Sequence, residues 1–241
     1  MENGKEFGQG KIHGFTNHIY WLAQINIYFV LCNIVFLFFY LTLVPSFSNV
    51  IIYFLALIPS GPAISALFYA IGKLIREEEV SPTKDFFYGY KLNFKDTMKL
   101  WLPMLLVIFI LVVDLQYFYS EATVINQILA IVFLVALILM LGLSIYIFPI
   151  NVTYKFRTRD IYKLSIYYSF KKKKITFGNI GILIITLFLM YVISDFLILF
   201  IASLVCFAIM LSSKEVMEDI KLNYVDPKKL NYVDPKKLNF E

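Results

Sequence analysis

The sequence predicts an all-α polytopic membrane protein, and three observations carry that prediction. Hydrophobic residues make up 60% of the 241-residue chain and charged residues only 16%, whereas the surface of a soluble domain requires more charge. The apolar residues gather into runs of about 20 or more, the length that a helix needs to cross a bilayer core. Lys and Arg residues lie between alternate runs rather than inside them.

The apolar runs define six predicted transmembrane helices, at 19–44, 50–75, 100–119, 124–149, 177–193 and 196–212. The last two come from one run (177 to 211 inclusive) that is too long for one upright helix and slightly short for two. Charge favours two helices, because cytoplasmic loops collect Lys and Arg. All 22 Lys and Arg residues then fall on one side, whereas a single long helix would place those of the tail outside. Both termini are therefore expected in the cytoplasm.

The domain organisation follows from these spans. Residues 1–18 form a polar cytoplasmic arm, residues 19–213 a single transmembrane domain, and residues 214–241 a cytoplasmic tail. The tail contains the octapeptide KLNYVDPK twice, at 221–228 and 229–236. Low hydrophobicity and Asp-Pro turns predict an extended, poorly folded tail. The repeat is either a docking motif or a neutral duplication, and nothing else in the sequence requires two copies.

The second span contains an interruption at Pro59, Ser60, Gly61, Pro62 and Ala63. Each proline removes a backbone donor and crowds the preceding turn, so the helix is expected to kink or break. Counting residues places the interruption near the midplane of the span. Small residues then recur at spacings of about four and predict a face that packs closely against a neighbouring helix; they are Gly61, Ser65, Ala66 and Ala70.

Two amphipathic helices are predicted to lie in the cytoplasmic interface, at about 83–98 and 158–174. In the first, aromatic and apolar residues recur at three- and four-residue steps with lysines opposite, a pattern typical of a helix lying on a membrane; they are Phe86, Phe87, Tyr90, Phe94 and Met98. The second ends in Lys171, Lys172, Lys173 and Lys174. These lysines are expected to contact anionic lipid headgroups. The bilayer thus accounts for the net charge of +5 without a nucleic-acid partner.

Four polar residues lie inside the predicted spans. Gln24, Asn26 and Asn33 fall in the first helix, where polar groups need partners on other helices. They are expected to face the bundle. Asp114 lies toward the outer end of the third helix and is either a functional carboxylate or an interfacial anchor. Its place near the end of the apolar run favours anchoring.

The sequence contains no recognisable catalytic or cofactor-binding motif. It lacks G-x-S-x-G, H-E-x-x-H, a Walker loop and a dinucleotide fingerprint. His13 and His18 are five residues apart with no third ligand nearby, and Cys32 and Cys206 lie in different spans without metal-binding spacing. We therefore predict a protein that is not an enzyme and has no cofactor or metal site.

Residues 58–101 carry a recognisable pattern. A Gly61-Pro62-Ala63 motif is followed by Ala66-Leu67, a charged exit, and an aromatic segment that consists of Phe86, Phe87, Tyr90, Asn93 and Phe94. This pattern resembles the YesL family of bacterial integral membrane proteins, a domain of unknown function. The resemblance implies a small six-helix protein of the bacterial cell membrane, associated with genes for carbohydrate uptake and polysaccharide breakdown. It supplies no catalytic residues.

Three functional hypotheses remain. The resemblance implies a non-enzymatic accessory or regulatory component of a carbohydrate uptake system, with an ABC-type sugar transporter or a cytoplasmic protein as partner. A small-solute permease, or a substrate-binding membrane subunit, would instead use the interruption as its site, with Ser60 capping a new half-helix and Pro62 in its first turn. A membrane scaffold would recruit cytoplasmic partners through the amphipathic helices and the tail.

Overall fold

The computed structural model describes residues 11–44, 46–77, 80–120, 123–193 and 198–225. These residues form helices without any strand, which confirms the all-α fold class. A single 3-10 turn, Phe47–Asn49, precedes α3. The α-helices are α1 (Lys11–Cys32), α2 (Ile34–Thr42), α3 (Val50–Ala56), α4 (Ser60–Glu77), α5 (Pro82–Ser120), α6 (Val124–Thr153), α7 (Thr158–Lys171), α8 (Lys173–Val192), α9 (Ile198–Ser212) and α10 (Lys214–Tyr224).

Several of these helices are suited to cross a membrane. By length and composition, α5, α6 and α8 each qualify alone. Two further spans arise if each bent pair counts as one, because α1 meets α2 at 65° and the segment ending in α3 meets α4 at 47°. The apolar helix α9 has only 15 residues. The described residues therefore hold three to five candidate spans, which is consistent with a membrane location.

Both of the first two predicted spans are broken helices. The break in the second span, between α3 and α4, confirms the prediction from Pro59 and Pro62. The break in the first span, at Asn33, was not predicted, so the expectation of one continuous helix over 19–44 is wrong. Asn33 leaves the helical conformation (φ −103°, ψ 14°). Its backbone N–H donates to the Val30 carbonyl, so the last turn of the helix is tightened.

Helix α5 is one continuous helix of 39 residues, about 58 Å long at 1.5 Å per residue. The separate helix expected over 83–98 is instead the N-terminal half of α5. Its buried face is formed by Phe86, Gly89, Asn93 and Thr97, whereas Phe87 and Phe94 of the predicted apolar face lie exposed. The change in composition near Leu100 does not end the helix, which continues past Pro103 to Ser120.

The beginning of the predicted tail is also a helix. Residues 214–224 form α10, whose Val216, Met217 and Ile220 side chains are completely buried. The Tyr154 hydroxyl donates to the Met217 carbonyl (2.6 Å). The expectation of an extended tail from residue 214 is therefore wrong as far as Tyr224. Most of the duplicated octapeptide lies outside the described residues.

Helices α4 and α5 pack antiparallel at very close range. Four pairs of residues join them at intervals of one turn along α4: Gly61 with Trp101, Ser65 with Thr97, Tyr69 with Gly89, and Lys73 with Asp85. Glycine is required in two of these pairs. A Cβ atom on Gly61 would lie 2.3 Å from the Trp101 ring, and one on Gly89 would lie 2.6 Å from the Tyr69 ring.

Burial is concentrated at one end of the bundle. We call α4, residues 82–101 of α5, α7 and α10 the packed end, and α2, α3 and residues 102–120 of α5 the open end. Most residues of α4 are buried, including the predicted small face, whereas α2 has no buried residue. At the open end, Leu41, Ile51 and Leu106 are each about 60% exposed. Apolar side chains exposed in this way are suited to a hydrocarbon environment.

Candidate functional site at the joined helix breaks

The break between α3 and α4 is short and its backbone is largely hydrogen-bonded. The Ser60 amide donates to the Leu57 carbonyl (3.0 Å), and the Ala63 amide donates to the Pro59 carbonyl (3.3 Å). Pro62 lies in the first turn of α4, where a helix has no internal partner for an N–H group, so its missing donor costs little. The new half-helix expected from Pro62 is therefore present and begins at Ser60.

Ser60 does not cap this half-helix as expected. It is already the first helical residue, and its hydroxyl donates to the Oδ1 atom of Asn33 (2.5 Å). The side-chain amide nitrogen of Asn33 in turn donates to the Phe29 carbonyl (2.8 Å). Asn33 and Ser60 are both buried. One hydrogen bond thus joins the break in the first span to the break in the second, and this arrangement of the two breaks is the candidate site.

Trp101 closes the candidate site from the α5 side. Its indole N–H donates to the Leu57 carbonyl (3.0 Å), and its ring lies against Gly61, filling the space that a side chain would take. The ring also contacts Phe148 of α6, with centroids 6.0 Å apart. Sequence reasoning missed this role of Trp101. The available signal was a tryptophan at the start of an apolar run, opposite a glycine in a helix break.

A buried chain of polar side chains continues from the candidate site toward the packed end. The Asn151 amide donates to Thr97 Oγ1 (2.9 Å), and the Thr97 hydroxyl donates to Ser65 Oγ (2.9 Å). These three residues are buried and belong to α6, α5 and α4. Such hydrogen bonds hold neighbouring helices together where water is excluded.

Trp101 relates the break to the apolar part of α5. Trp101 is the residue at which the apolar part of α5 begins, and it touches both Leu57 and Gly61. The 20 residues from Trp101 to Ser120 span about 30 Å, which equals the thickness of a bilayer core. The break therefore lies beside the residue at which the apolar part of α5 begins, and its position near the midplane of the second span stays a prediction.

A cavity of about 290 Å³ lies beside the break. Six helices contribute to its lining: α1, α4, α5, α6, α8 and α9. Nearly all of its lining side chains are apolar, and the hydroxyl of Ser144 is already used in a bond to the Leu141 carbonyl (2.7 Å). The thiol of Cys206 is buried at the cavity wall. This lining suits an apolar molecule rather than a polar one.

The other predicted polar residues lie apart from the candidate site. Asn26 is buried and accepts a hydrogen bond from the Ser203 amide of α9 (2.9 Å), as expected for a residue that faces the bundle. Gln24 donates to the Tyr20 hydroxyl within α1 (2.6 Å), so it does not bridge two helices there. Asp114 is partly exposed at the open end of α5, further along this helix than Trp101, the α5 residue that contacts the break.

The four lysines of the predicted headgroup cluster divide into two pairs. Lys171 forms an ion pair with Asp219 (2.8 Å), and Lys172 forms one with Glu215 (2.5 Å). These two lysines hold α10, whereas Lys173 and Lys174 are exposed at the start of α8. Hydrogen bonds from Lys171 and from the Tyr168 hydroxyl hold the pKa of Asp219 below its ordinary value.

The described residues contain no group of three or more His, Cys, Asp or Glu side chains that could hold a metal ion. What the fold and the candidate site define is an all-helical protein with three to five candidate membrane spans, in which two bent helix pairs are joined at their breaks by one hydrogen bond. Residues 22–115 match the family described as "Protein of unknown function, DUF624". That stretch contains both breaks, α4 and most of α5. No curated protein and no solved structure matches the chain.

Proposed function

We propose that this chain is a non-enzymatic accessory or regulatory membrane component of a carbohydrate uptake system, and that it does not itself transport the solute. One observation carries this proposal. Transporters that bind solutes at broken helices leave the freed backbone groups available to the solute. In this chain the Leu57 carbonyl, the Ser60 hydroxyl and the space over Gly61 are already occupied by Trp101 and Asn33.

The carbohydrate part of the proposal is supported by the resemblance of residues 58–101 to the YesL family. That resemblance also supports a bacterial cell membrane as the location, and an ABC-type sugar transporter or a cytoplasmic protein as the partner. The apolar lining of the cavity beside the break adds a separate argument against sugar binding by this chain itself. A sugar requires several convergent hydrogen-bonding groups, and the cavity offers very few, so a partner must supply the sugar-binding site.

The topology that we propose has six spans with both termini in the cytoplasm. It is supported by the charge distribution, because with six spans all 22 Lys and Arg residues would lie on one side. Each bent pair then counts as one span, and α9 is the sixth. A reporter that is active only outside the membrane, fused after residue 241, should be inactive. Activity of that reporter would refute the six-span arrangement.

The proposed function can be tested by separating transport from assistance. Purified protein in sealed vesicles should show no uptake of labelled mono-, di- or oligosaccharides. Deletion of the gene from its native bacterium should lower the uptake of at least one of them, and the wild-type chain should restore it. Subunits of an ABC-type sugar transporter should co-purify from native membranes. Uptake by the purified chain alone would overturn the proposal in favour of a permease.

The scaffold alternative can be tested by a truncation that leaves α10 in place. Removal of residues 214–241 would also remove α10, whose Met217 and Ile220 are completely buried, and would damage the fold. A chain that ends at Val225 keeps α10 and removes most of the repeated segment. If the partner still co-purifies with this shorter chain, the repeat is not its docking site.

A further inference from the structure

A second apolar recess lies between α6, α7 and α8, at the packed end and away from the joined breaks. It has a volume of about 480 Å³. Its apolar walls include Leu143 of α6, Ile166 and Phe170 of α7, and Ile180 of α8. Gly142 of α6 also lines the recess, and a Cβ there would lie 3.4 Å from the Ile180 side chain. We call this recess the α6–α8 groove.

The polar atoms inside the α6–α8 groove are already paired. The Ser169 hydroxyl donates to the Ser165 carbonyl (2.7 Å). The Thr176 hydroxyl bonds to the Ser169 carbonyl (3.1 Å) and to the Tyr146 hydroxyl (2.9 Å). Lys173 is the single charged residue among the described residues that line the groove. A ligand would therefore meet an apolar interior and one positive charge.

Lys173 differs from the two lysines that precede it. Lys171 and Lys172 are neutralised by Asp219 and Glu215 of α10. Lys173 is exposed and forms no ion pair within the part of the chain that the structure describes. Its charge is thus available to an anion at the mouth of the groove.

The groove also has the orientation that a lipid requires. Lys173 begins α8, and the 20 residues of that helix span about 30 Å, the thickness of a bilayer core. Ile180 lies two turns further along, about 10 Å deeper. The exposed rings of Phe170 and Phe177 (64% and 71% exposed) flank the mouth, as aromatic residues do at membrane interfaces. The charge therefore lies at headgroup level and the apolar walls at acyl-chain level.

We propose that the α6–α8 groove binds one anionic phospholipid, with its phosphate at Lys173 and an acyl chain along Gly142 and Ile180. The size is adequate, because an apolar cavity of about 150 Å³ already binds benzene. Charge complementarity selects an anionic lipid, since Lys173 has no acidic neighbour in the groove lining. This site is independent of the proposed function, because neither the breaks nor a transporter partner takes part in it.

The test compares two lysines that are adjacent in sequence. The full-length protein is purified in detergent and titrated with dioleoylphosphatidylglycerol or dioleoylphosphatidylcholine, and bound lipid is counted by native mass spectrometry. The wild-type chain should retain one phosphatidylglycerol in preference to phosphatidylcholine. Lys173→Gln should weaken phosphatidylglycerol binding about fivefold, the effect of one surface lysine. Lys174→Gln should have little effect, because Lys174 does not line the groove.

A second pair of variants tests the acyl-chain part of the groove. Gly142→Leu places a side chain in the groove and should abolish retention of the lipid. Gly181→Leu is the matched control, because nothing lies within 4 Å of a Cβ at that position of α8. Glycerol 1-phosphate should not displace the lipid, since it lacks the acyl chain. Thermal unfolding of each variant checks that it is folded.

Three outcomes would overturn the proposal. Equal losses for Lys173→Gln and Lys174→Gln would indicate diffuse attraction to a charged surface. Equal retention of phosphatidylglycerol and phosphatidylcholine by the wild-type chain would remove the role of charge. If Gly142→Leu does not fold, a photoactivatable phosphatidylglycerol replaces it as the test, and crosslinks confined to peptides outside α6–α8 would refute the site.

Discussion

Substitution of Gly61 by alanine tests whether the joined breaks are held together by packing. The new methyl group would lie 2.3 to 2.7 Å from three side-chain atoms of Trp101, which is well inside contact distance. Trp101 must move, and its movement also weakens its bond to the Leu57 carbonyl. Overpacking of this kind costs about 1–3 kcal/mol, and loss of a hydrogen bond costs about 0.5–1.5 kcal/mol more.

A favourable contribution offsets part of that loss. Alanine is a better helix former than glycine by up to about 1 kcal/mol. The net loss in the free energy of unfolding should therefore be about 1–3 kcal/mol. Gly178→Ala is the matched control, because nothing lies within 4 Å of a Cβ at Gly178. That variant should be as stable as the wild type or slightly more stable.

The measurement is equilibrium unfolding in detergent micelles with increasing dodecyl sulfate, followed by far-UV circular dichroism. Because the two shortest contacts are with ring atoms of Trp101, Gly61→Ala should cost less when Trp101 is already alanine, and the difference should be about 1 kcal/mol or more. Trp101→Phe isolates the hydrogen bond, since it keeps a ring but lacks the indole N–H. The reasoning is refuted if Gly61→Ala is as stable as Gly178→Ala, or if its cost is unchanged without the Trp101 ring.

Three further predictions concern the contacts between helices. Asn33→Ala and Ser60→Ala should each lower the unfolding free energy by about 1–3 kcal/mol because a buried polar partner is left unpaired, and the double variant should cost less than the sum in the same assay. Met217→Ala should cost about 2–5 kcal/mol and expose α10 to protease, whereas Leu222→Ala, at a position that is 83% exposed, should do neither. The lowered pKa of Asp219 stabilises α10 above the unfolded pKa of about 3.9, and this contribution is lost as the pH falls through the lower folded pKa. Hydrogen exchange in α10, corrected for intrinsic rates, should therefore be constant from pH 5 to 8 and rise below about pH 4, and a constant rate down to pH 3 would contradict the role of Asp219.

Local chemistry explains which parts of the fold were predictable. The break before α4 follows from Pro59 and Pro62, because proline disrupts a helix in any environment. The close-packed face of α4 follows from the spacing of small residues such as Gly61 and Ala66. Each of these signals lies within a few residues and does not depend on the identity of the neighbouring helix.

The features that were missed depend on distant partners. The break at Asn33 involves Ser60, 27 residues away, whose hydroxyl donates a hydrogen bond to the Asn33 side chain. An isolated asparagine in an apolar run does not by itself predict a break. Helix α10 is stabilised by the burial of Met217 and by the hydrogen bond from the Tyr154 hydroxyl to the Met217 carbonyl, whereas its own sequence has the polarity of a flexible tail. In α5, the transition to apolar residues at Leu100 was interpreted as a boundary, although the backbone continues without interruption.

The surroundings of α3 and α4 differ, and this difference accounts for the residues found at the break between them. Helix α3 exposes aliphatic side chains such as Ile51 and Leu55, as lipid contact favours, whereas α4 is buried almost completely and needs small residues to approach α5. The bend between these two helices frees carbonyl groups, which need partners from the chain where water is excluded. The Leu57 carbonyl accepts from the Ser60 amide and from the Trp101 indole N–H, and the Trp101 ring fills the space over Gly61. Ser60 and Gly61 thus have structural partners within the chain, and Pro62 lies in the first turn of α4, where its missing donor costs little.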